Sequence, residues 1–196
     1  MVVRKKTTPE LKSERIPIDE LQDVKRTPIS VIADNIRSLD NVGLLFRLCD
    51  LARVEKLYLT GYTGYPKQTE DSRPKTIKER HSRRIEKTAV YAVPVQPWEY
   101  TLDAISLVKS LKEAGQTIIA LEQTDKSVPY HKLAPSNYLL PLTIVLGHER
   151  HGVRQELLEL ADHVIDIPVL GSGNSHNVAT ACGIVLYHIL EKTGRI

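Results

Sequence analysis

The sequence predicts an α/β protein with a mostly parallel sheet and helices on both of its faces. Three observations lead there. Short β-rich runs alternate with longer helical patterns along the whole chain. Two of those runs, ISVIA at 29–33 and LTIVL at 142–146, are apolar almost without a break, as strands covered on both sides are. Finally, 196 residues with 41% hydrophobic and 26% charged side chains suffice for one well-buried core and fall short of two. The same composition excludes a disordered tail, a collagen-like fibre and a coiled-coil rod. No run nears the roughly 18 apolar residues of a membrane span, so no membrane partner is expected.

Taken in order, residues 1–28 are expected to form a basic arm or small helical extension, and 29–196 a single domain. Ile29–Ala33 opens the domain as a strand. The helix Asn41–Arg53 follows, because Val42, Leu45, Phe46 and Cys49 recur at i, i+3, i+4 and i+7. Arg47 lies about 140° round from Val42 and leaves that stripe, towards a cleft or solvent. Asp40 or Asn41 is a candidate cap for this helix. A strand at Lys56–Thr60, a basic helix around Pro74–Lys87 and a further strand at Ala89–Val93 come next. The remaining elements are helix Glu99–Ala114, strands Thr117–Leu121 and Leu142–Leu146, helix Val153–Ala161, strand Val164–Ile167 and helix Val178–Lys192. That last helix is apolar nearly all round, with Ala179, Ala181 and Gly183 permitting close approach, so burial between other elements is expected. Ser175 is its candidate N-cap.

The net charge of +3 is a mild hint of an anionic partner, and its distribution is more informative. Residues 67–87 hold eight Lys or Arg against four Asp or Glu, so the excess resides in one segment. It is either a solvated helix face or a patch that tracks phosphates. Cys49 and Cys182 stand far apart, with neither metal-ligand spacing nor a disulfide framework, and MVVRKKTTPELK has no apolar run after its basic residues. A cytoplasmic protein is expected.

Three polar loops each follow a strand, and a parallel sheet gathers its strand ends at one edge, where ligands bind. The first, NIRSLDNVGLLFR from Asn35 to Arg47, is either turn chemistry or ligand chemistry. The second, LGHERHGV from Leu146 to Val153, brackets His148, Glu149, Arg150 and His151 between two glycines. Its histidines are three apart, whereas the helical zinc-protease pattern needs four, so no metal is expected. The third, IPVLGSGNSHN from Ile167 to Asn177, is a turn with a helix cap or a backbone cradle for a ligand, and matches neither a Walker loop nor a dinucleotide fingerprint.

In this order and at these spacings, the segments Asn41-Val-Gly-Leu-Leu-Phe-Arg47, Leu-Gly-His-Glu149-Arg-His-Gly152 and Ile-Pro-Val-Leu-Gly through Ser175-His-Asn177-Val-Ala resemble the motifs of the SpoU (TrmH-like) branch of SPOUT RNA methyltransferases. The resemblance spans roughly residues 29–193. It implies S-adenosylmethionine as methyl donor, 2′-O-methylation of a ribose in tRNA or rRNA, a homodimer, and a trefoil knot in the C-terminal segment. Such a knot lies beyond any reading of periodicity.

Carried over by position, Arg47 corresponds to the family's catalytic arginine and Asn41 to its helix-start partner. Glu149 corresponds to the supporting carboxylate, and Ser175 and Asn177 to the pair that positions Arg47 and the RNA. The cofactor is expected near Leu121, Gly147, Ile167 and His176. His176 stands where the family often has Leu, so either its backbone meets the adenosyl group or its ring stacks there. RNA is expected on Arg37, Lys75, Lys78, Arg80, Arg83 and Arg84. Two other classes fit parts of the pattern: a catalytically inactive RNA-binding module with the same fold, and a metal-dependent hydrolase using His148 and His151.

Overall fold

The computed structural model describes residues 3–17, 20, 21 and 24–196; residues 1, 2, 18, 19, 22 and 23 of the expected arm lie outside the described residues. A short helix α1, Thr8–Ser13, precedes the sheet. The strands are β1 Thr27–Asp34, β2 Val54–Thr60, β3 Trp98–Thr101, β4 Thr117–Leu121, β5 Val128–Pro129, β6 Leu142–Leu146 and β7 His163–Asp166. Between them run α2 Leu39–Leu51, α3 Lys75–Ala89, α4 Ala104–Glu113, α5 Gln155–Leu160 and α6 Val178–Lys192. All strand pairs are parallel, in the order β3-β2-β1-β6-β4-β7-β5.

The apolar strands divide their side chains by parity. Ile29, Val31 and Ala33 of β1, with Leu142, Ile144 and Leu146 of β6, bury against α2, α3 and α6. Ile32, Ile118, Ala120 and Val145 face the other way, onto α4 and α5. Two-sided burial is why these runs show no polar alternation. The order also means that β6 enters a slot between β1 and β4, and β7 a slot between β4 and β5. Later chain thus passes between earlier strands, an arrangement compatible with the knotted topology that the resemblance implies. No helix among the described residues is long and apolar enough to cross a membrane.

Several local expectations are corrected. Residues 89–93 form no strand: α3 runs on to Ala89, and Val90 stops it with φ 61°. The edge strand is instead Trp98–Thr101, which the sequence pattern assigned to the start of a helix. Aromatic burial decides this. Trp98 meets Phe46 edge-on at 5.9 Å, and Tyr100 stacks on Tyr65 at 4.0 Å. Helix α4 then begins after Asp103, whose carboxylate caps Ile105 and Ser106. At α2 the cap is Ser38 rather than Asp40 or Asn41, its hydroxyl accepting from Asn41 N. At α6 it is Asn177, because Ser175 lies two residues too early to reach Ala179 N and Thr180 N. Nor is α6 buried all round: Cys182, Val185, Leu186 and Ile189 face the core, while Tyr187 is 42% exposed.

Gly43 has a physical reason that spacing alone could not supply. A Cβ there would overlap Thr88 Oγ1 and the Ile85 carbonyl oxygen, so the glycine lets α2 and α3 close on each other. Gly43→Ala is expected to destabilise the fold by about 1–3 kcal/mol, the usual cost of overpacking, and to push α3 outward. A chemical-denaturation midpoint checks it, and an unchanged midpoint would refute the close-packing role.

Candidate active site

The C-terminal ends of β4, β6 and β7 wall a cavity of about 330 Å³. Leu121 and Glu122 line it from β4, Leu146 and Gly147 from β6, and Asp166 and Ile167 from β7, with Ser175, His176 and Val178 closing it from the third loop. On the other side of the β6 loop lies a recess of about 410 Å³ lined by Arg37, Ser38, Asn41, Arg80, Arg84, His148, Glu149 and Arg150. His148, Glu149 and Arg150 therefore form a wall shared by both spaces.

The β6 loop is held in shape by a two-residue antiparallel bridge, His148 N to Gly152 O at 3.0 Å and Gly152 N to His148 O at 2.8 Å. Its glycines are both required. A Cβ on Gly147 would overlap the Gly152 backbone, and Gly152 takes φ +70° with Glu122 directly against it. Glu122, at the end of β4, accepts from Val153 N at 2.8 Å and so pins this loop. Arg154 does the same from below, with Nε 2.8 Å and Nη2 3.1 Å from the carboxylate of Asp34 at the end of β1. None of Glu122, Asp34 or Arg154 stood out in the sequence, because each looks like an ordinary charged residue until the strands are assembled.

Glu149 ties the three loops together. Its carboxylate accepts from Arg37 N at 2.9 Å, Ser38 N at 2.9 Å and the Asn41 amide at 2.8 Å. A carboxylate only accepts, so Asn41 turns its NH2 to Glu149 and leaves its oxygen to the Asn177 NH2, 2.9 Å away. The Asn177 oxygen is then free to cap α6. Burial pushes the Glu149 carboxyl up, but the N–H donors of Arg37 and Ser38 and the Asn41 amide outweigh it and hold the group below its ordinary value. It stays ionised at neutral pH. In His148, Nδ1 accepts from Arg150 N at 2.8 Å and His151 N at 3.2 Å, so the neutral ring carries its proton on Nε2.

The residues expected from the sequence are thus distributed unevenly. Leu121, Gly147, Ile167 and His176 all line the cavity, as do Glu149 and Ser175. Asn41, Glu149 and Asn177 form one hydrogen-bonded chain. Arg47 is exposed on α2, lines neither space and makes no hydrogen bond among the described residues. Six positions after Asn41, it lies about 9 Å further along the helix and a third of a turn away.

The six basic residues split as well. Arg37, Arg80 and Arg84 line the recess, with Arg84 also paired to Asp40 at 2.7 Å. Lys78 is turned onto the Asp71 carbonyl, Lys75 sits 3.8 Å from Glu79, and Arg83 is exposed outside the recess. In the third loop Gly171 and Gly173 pack against no protein atom, since a Cβ on either would meet nothing within 4 Å, while Asn174, Ser175 and His176 line the cavity. Among the described residues, no group of three His, Cys, Asp or Glu is placed to hold a metal.

An open parallel sheet with a small-molecule cavity at its strand ends belongs to the class of α/β proteins that bind a nucleoside-bearing ligand at a topological switch point. The cavity fits S-adenosylmethionine in particular. Leu121, Leu146, Ile167 and Val178 offer apolar surface to a base, and Glu122, Glu149 and Asp166 suit a ligand carrying positive charge.

Comparison with known proteins agrees. The model of the SpoU rRNA Methylase family matches residues 28–187, and the chain belongs to that family. It is 30% identical over 168 residues to the tRNA (guanosine(18)-2′-O)-methyltransferase of Aquifex aeolicus, covering 86% of this chain and 71% of the relative. Among solved structures it resembles the A. aeolicus TrmH/SpoU tRNA modifying enzyme, with TM-score 0.67, 27% identity and coverage of 90% and 84%. An AdoMet-bound rRNA methyltransferase from Sinorhizobium meliloti shares the fold at TM-score 0.66 and 24% identity, covering 87% of this chain and 59% of that one.

Proposed function

We propose that this protein transfers a methyl group from S-adenosylmethionine to a ribose 2′-hydroxyl of RNA, and that tRNA is its substrate. One observation carries the reading: Glu149 and its two asparagine partners stand in the wall between an S-adenosylmethionine-sized cavity and an arginine-lined recess. Methyl donor and RNA phosphates can therefore meet across one loop. Family membership fixes the reaction class, and the tRNA preference rests on the Aquifex relative.

When bound, S-adenosylmethionine supplies an electrophilic methyl on a cationic sulfur. The chain supplies position. Leu121, Gly147, Ile167 and His176 hold the cofactor, while Arg37, Arg80 and Arg84 hold phosphates as point charges or forks. Aligning the hydroxyl with the methyl accounts for several kcal/mol of the barrier. Glu149, saturated by N–H donors, orients the loops and is not the proton acceptor. His148 Nδ1 is likewise occupied by backbone donors, so the proton of the 2′-hydroxyl passes to solvent water as the methyl is transferred.

Arg47, exposed on α2, acts as a phosphate clamp, its planar fork matching phosphate oxygens. It reaches a site in a homodimer. Leu44 and Leu51, 39% and 61% exposed, lie beside it on the outer face of α2 and form an apolar seam for a second copy. Residues 1–28 act as a basic RNA-contacting arm on a domain spanning 29–196. Two free, buried thiols suit a cytoplasmic location.

The test of the reaction is a map of 2′-O-methyl sites in total RNA with and without the gene; unchanged maps in tRNA and rRNA overturn it. For the clamp, Arg47→Lys is expected to keep part of the turnover and raise the KM for RNA. Normal RNA binding with no turnover in that variant would exclude a clamp.

A further inference from the structure

Three aromatic rings meet pairwise through His148, which lines the recess, and none of them belongs to the buried core. Tyr62 and His148 meet edge to face at 6.0 Å, and His148 and His151 lie 4.6 Å apart at 39°. Tyr62 is 61% exposed and His151 is exposed, while His148 lines both the cofactor cavity and the arginine recess. Exposed tyrosines are commonplace on their own. This one differs in how it is mounted.

The turn after β2 is tied down on every side except that of the Tyr62 ring. The Tyr62 N–H donates to Asn35 Oδ1 at 3.0 Å, and Asn35 itself is held in the left-handed region at φ 56°. Gly61 takes φ +64° against Asn35 and accepts the Tyr100 hydroxyl at 2.7 Å on its carbonyl. Thr63 bridges Ile36 N and the Ala33 carbonyl. Likewise, His148 is fixed by two backbone donors to Nδ1, and the bridge to Gly152 fixes its loop. Rigid backbones thus present aromatic faces to solvent, next to a recess lined by Arg37, Arg80, Arg84 and Arg150. A ring platform beside a cationic recess is complementary to a nucleotide, with π-face to base and positive charge to phosphate.

We propose that the exposed Tyr62 ring, flanked edge-on by His148 and then His151, forms a stacking platform for the base of the nucleotide being methylated, or of its immediate neighbour, with the adjoining arginines on its phosphates. The proposal rests on the methyltransferase reading and adds the element that receives the unstacked base. Unpairing a nucleotide costs a few kcal/mol, and an aromatic seat offsets part of it. The platform reads a π-face, so it confers affinity for an unstacked base without dictating which base.

The probes are bulk tRNA and bulk rRNA from cells lacking the gene, with tritiated S-adenosylmethionine. Tyr62→Ala is expected to raise the KM for RNA by about 5- to 150-fold, the alanine cost of one base stack, and to leave the Kd for S-adenosylmethionine unchanged. Tyr62→Phe should stay within about twofold of the parent, because it keeps the ring. His151→Ala should move the KM in the same direction as Tyr62→Ala. Ultraviolet crosslinking of the same RNAs, read by mass spectrometry of the peptides, should place nucleotide adducts on Tyr62 or the His148–His151 loop.

Methylation with a parental KM in Tyr62→Ala and His151→Ala, and adducts only elsewhere, would overturn the platform while leaving the methyltransferase reading intact. Adducts on Tyr62 in a protein that methylates neither RNA would support the platform and count against the reaction.

Discussion

Glu149→Ala is expected to lower unfolding stability by about 2–4 kcal/mol and to weaken S-adenosylmethionine binding at least tenfold, because the carboxylate ties the second loop to the first and orients the Asn41 amide that receives Asn177 of the third. Removing it leaves the backbone N–H groups of Arg37 and Ser38 and the Asn41 amide without their partner. Hydrogen bonds to a charged group contribute about 1.5–3 kcal/mol each, but water reaches this half-exposed loop and reduces the sum.

Glu149→Gln is the sharper variant, being almost the same size. Its oxygen can still accept from Ser38 N and the Asn41 amide, but its NH2 then faces the Arg37 N–H, so a donor is left unpaired whichever way the amide turns. A smaller loss than for alanine is expected, seen in the urea midpoint and in calorimetry with the cofactor. A glutamine variant with the parental midpoint and cofactor affinity would show that the relay carries no load.

The pH dependence has a definite sign. Glu149 has a folded pKa below its ordinary value, so its contribution is complete above about pH 4.3, the unfolded value, and disappears as pH falls through the lower folded one. Glu149→Gln should therefore flatten part of the acid limb of stability.

Arg154→Ala is expected to cost about 1–3 kcal/mol, because it leaves a buried carboxylate short of partners while the lost arginine side chain is itself 35% exposed. The Asp34 side chain is 1% exposed and would keep only the Thr60 hydroxyl, at 2.7 Å, and the Asn35 amide, at 3.2 Å. Arg154→Lys should recover only part, since an ammonium cannot make the paired Nε and Nη2 bonds. The double variant Asp34→Asn with Arg154→Ala should be more stable than Arg154→Ala alone, because the uncompensated charge is gone. If the single and double variants melt together, the buried pair is not what holds the β6 loop on β1.

Much of this was legible from spacing. The strands at Thr117–Leu121 and Leu142–Leu146 and the helix Val178–Lys192 match their expected bounds, because continuous apolar runs and a long apolar helix leave few alternatives. The edge strand Trp98–Thr101 was lost inside a helical pattern. Its stability comes from Trp98 on Phe46 and Tyr100 on Tyr65, contacts across 52 and 35 residues that no local window contains.

At the site, Glu149, Asn41 and Asn177 were found by motif, and their mutual hydrogen bonds by structure. Arg154 and Glu122 were missed because their partners lie 120 and 31 residues away. Arg47 shows the opposite case: the motif marks it plainly, yet one chain leaves it exposed on α2, away from both spaces.

By itself, then, the sequence determined a parallel α/β sheet, three loops at its carboxyl edge and the family those loops belong to. These follow from periodicity and from short motifs, both local properties of the chain. Only the tertiary structure decided that Glu149 and two asparagines form one relay, that half of the expected basic residues line a recess, and that His148 in its wall meets Tyr62 and His151. Those are distances between residues far apart in sequence. They arise only when separate strands are packed side by side and their ends are brought to a common edge.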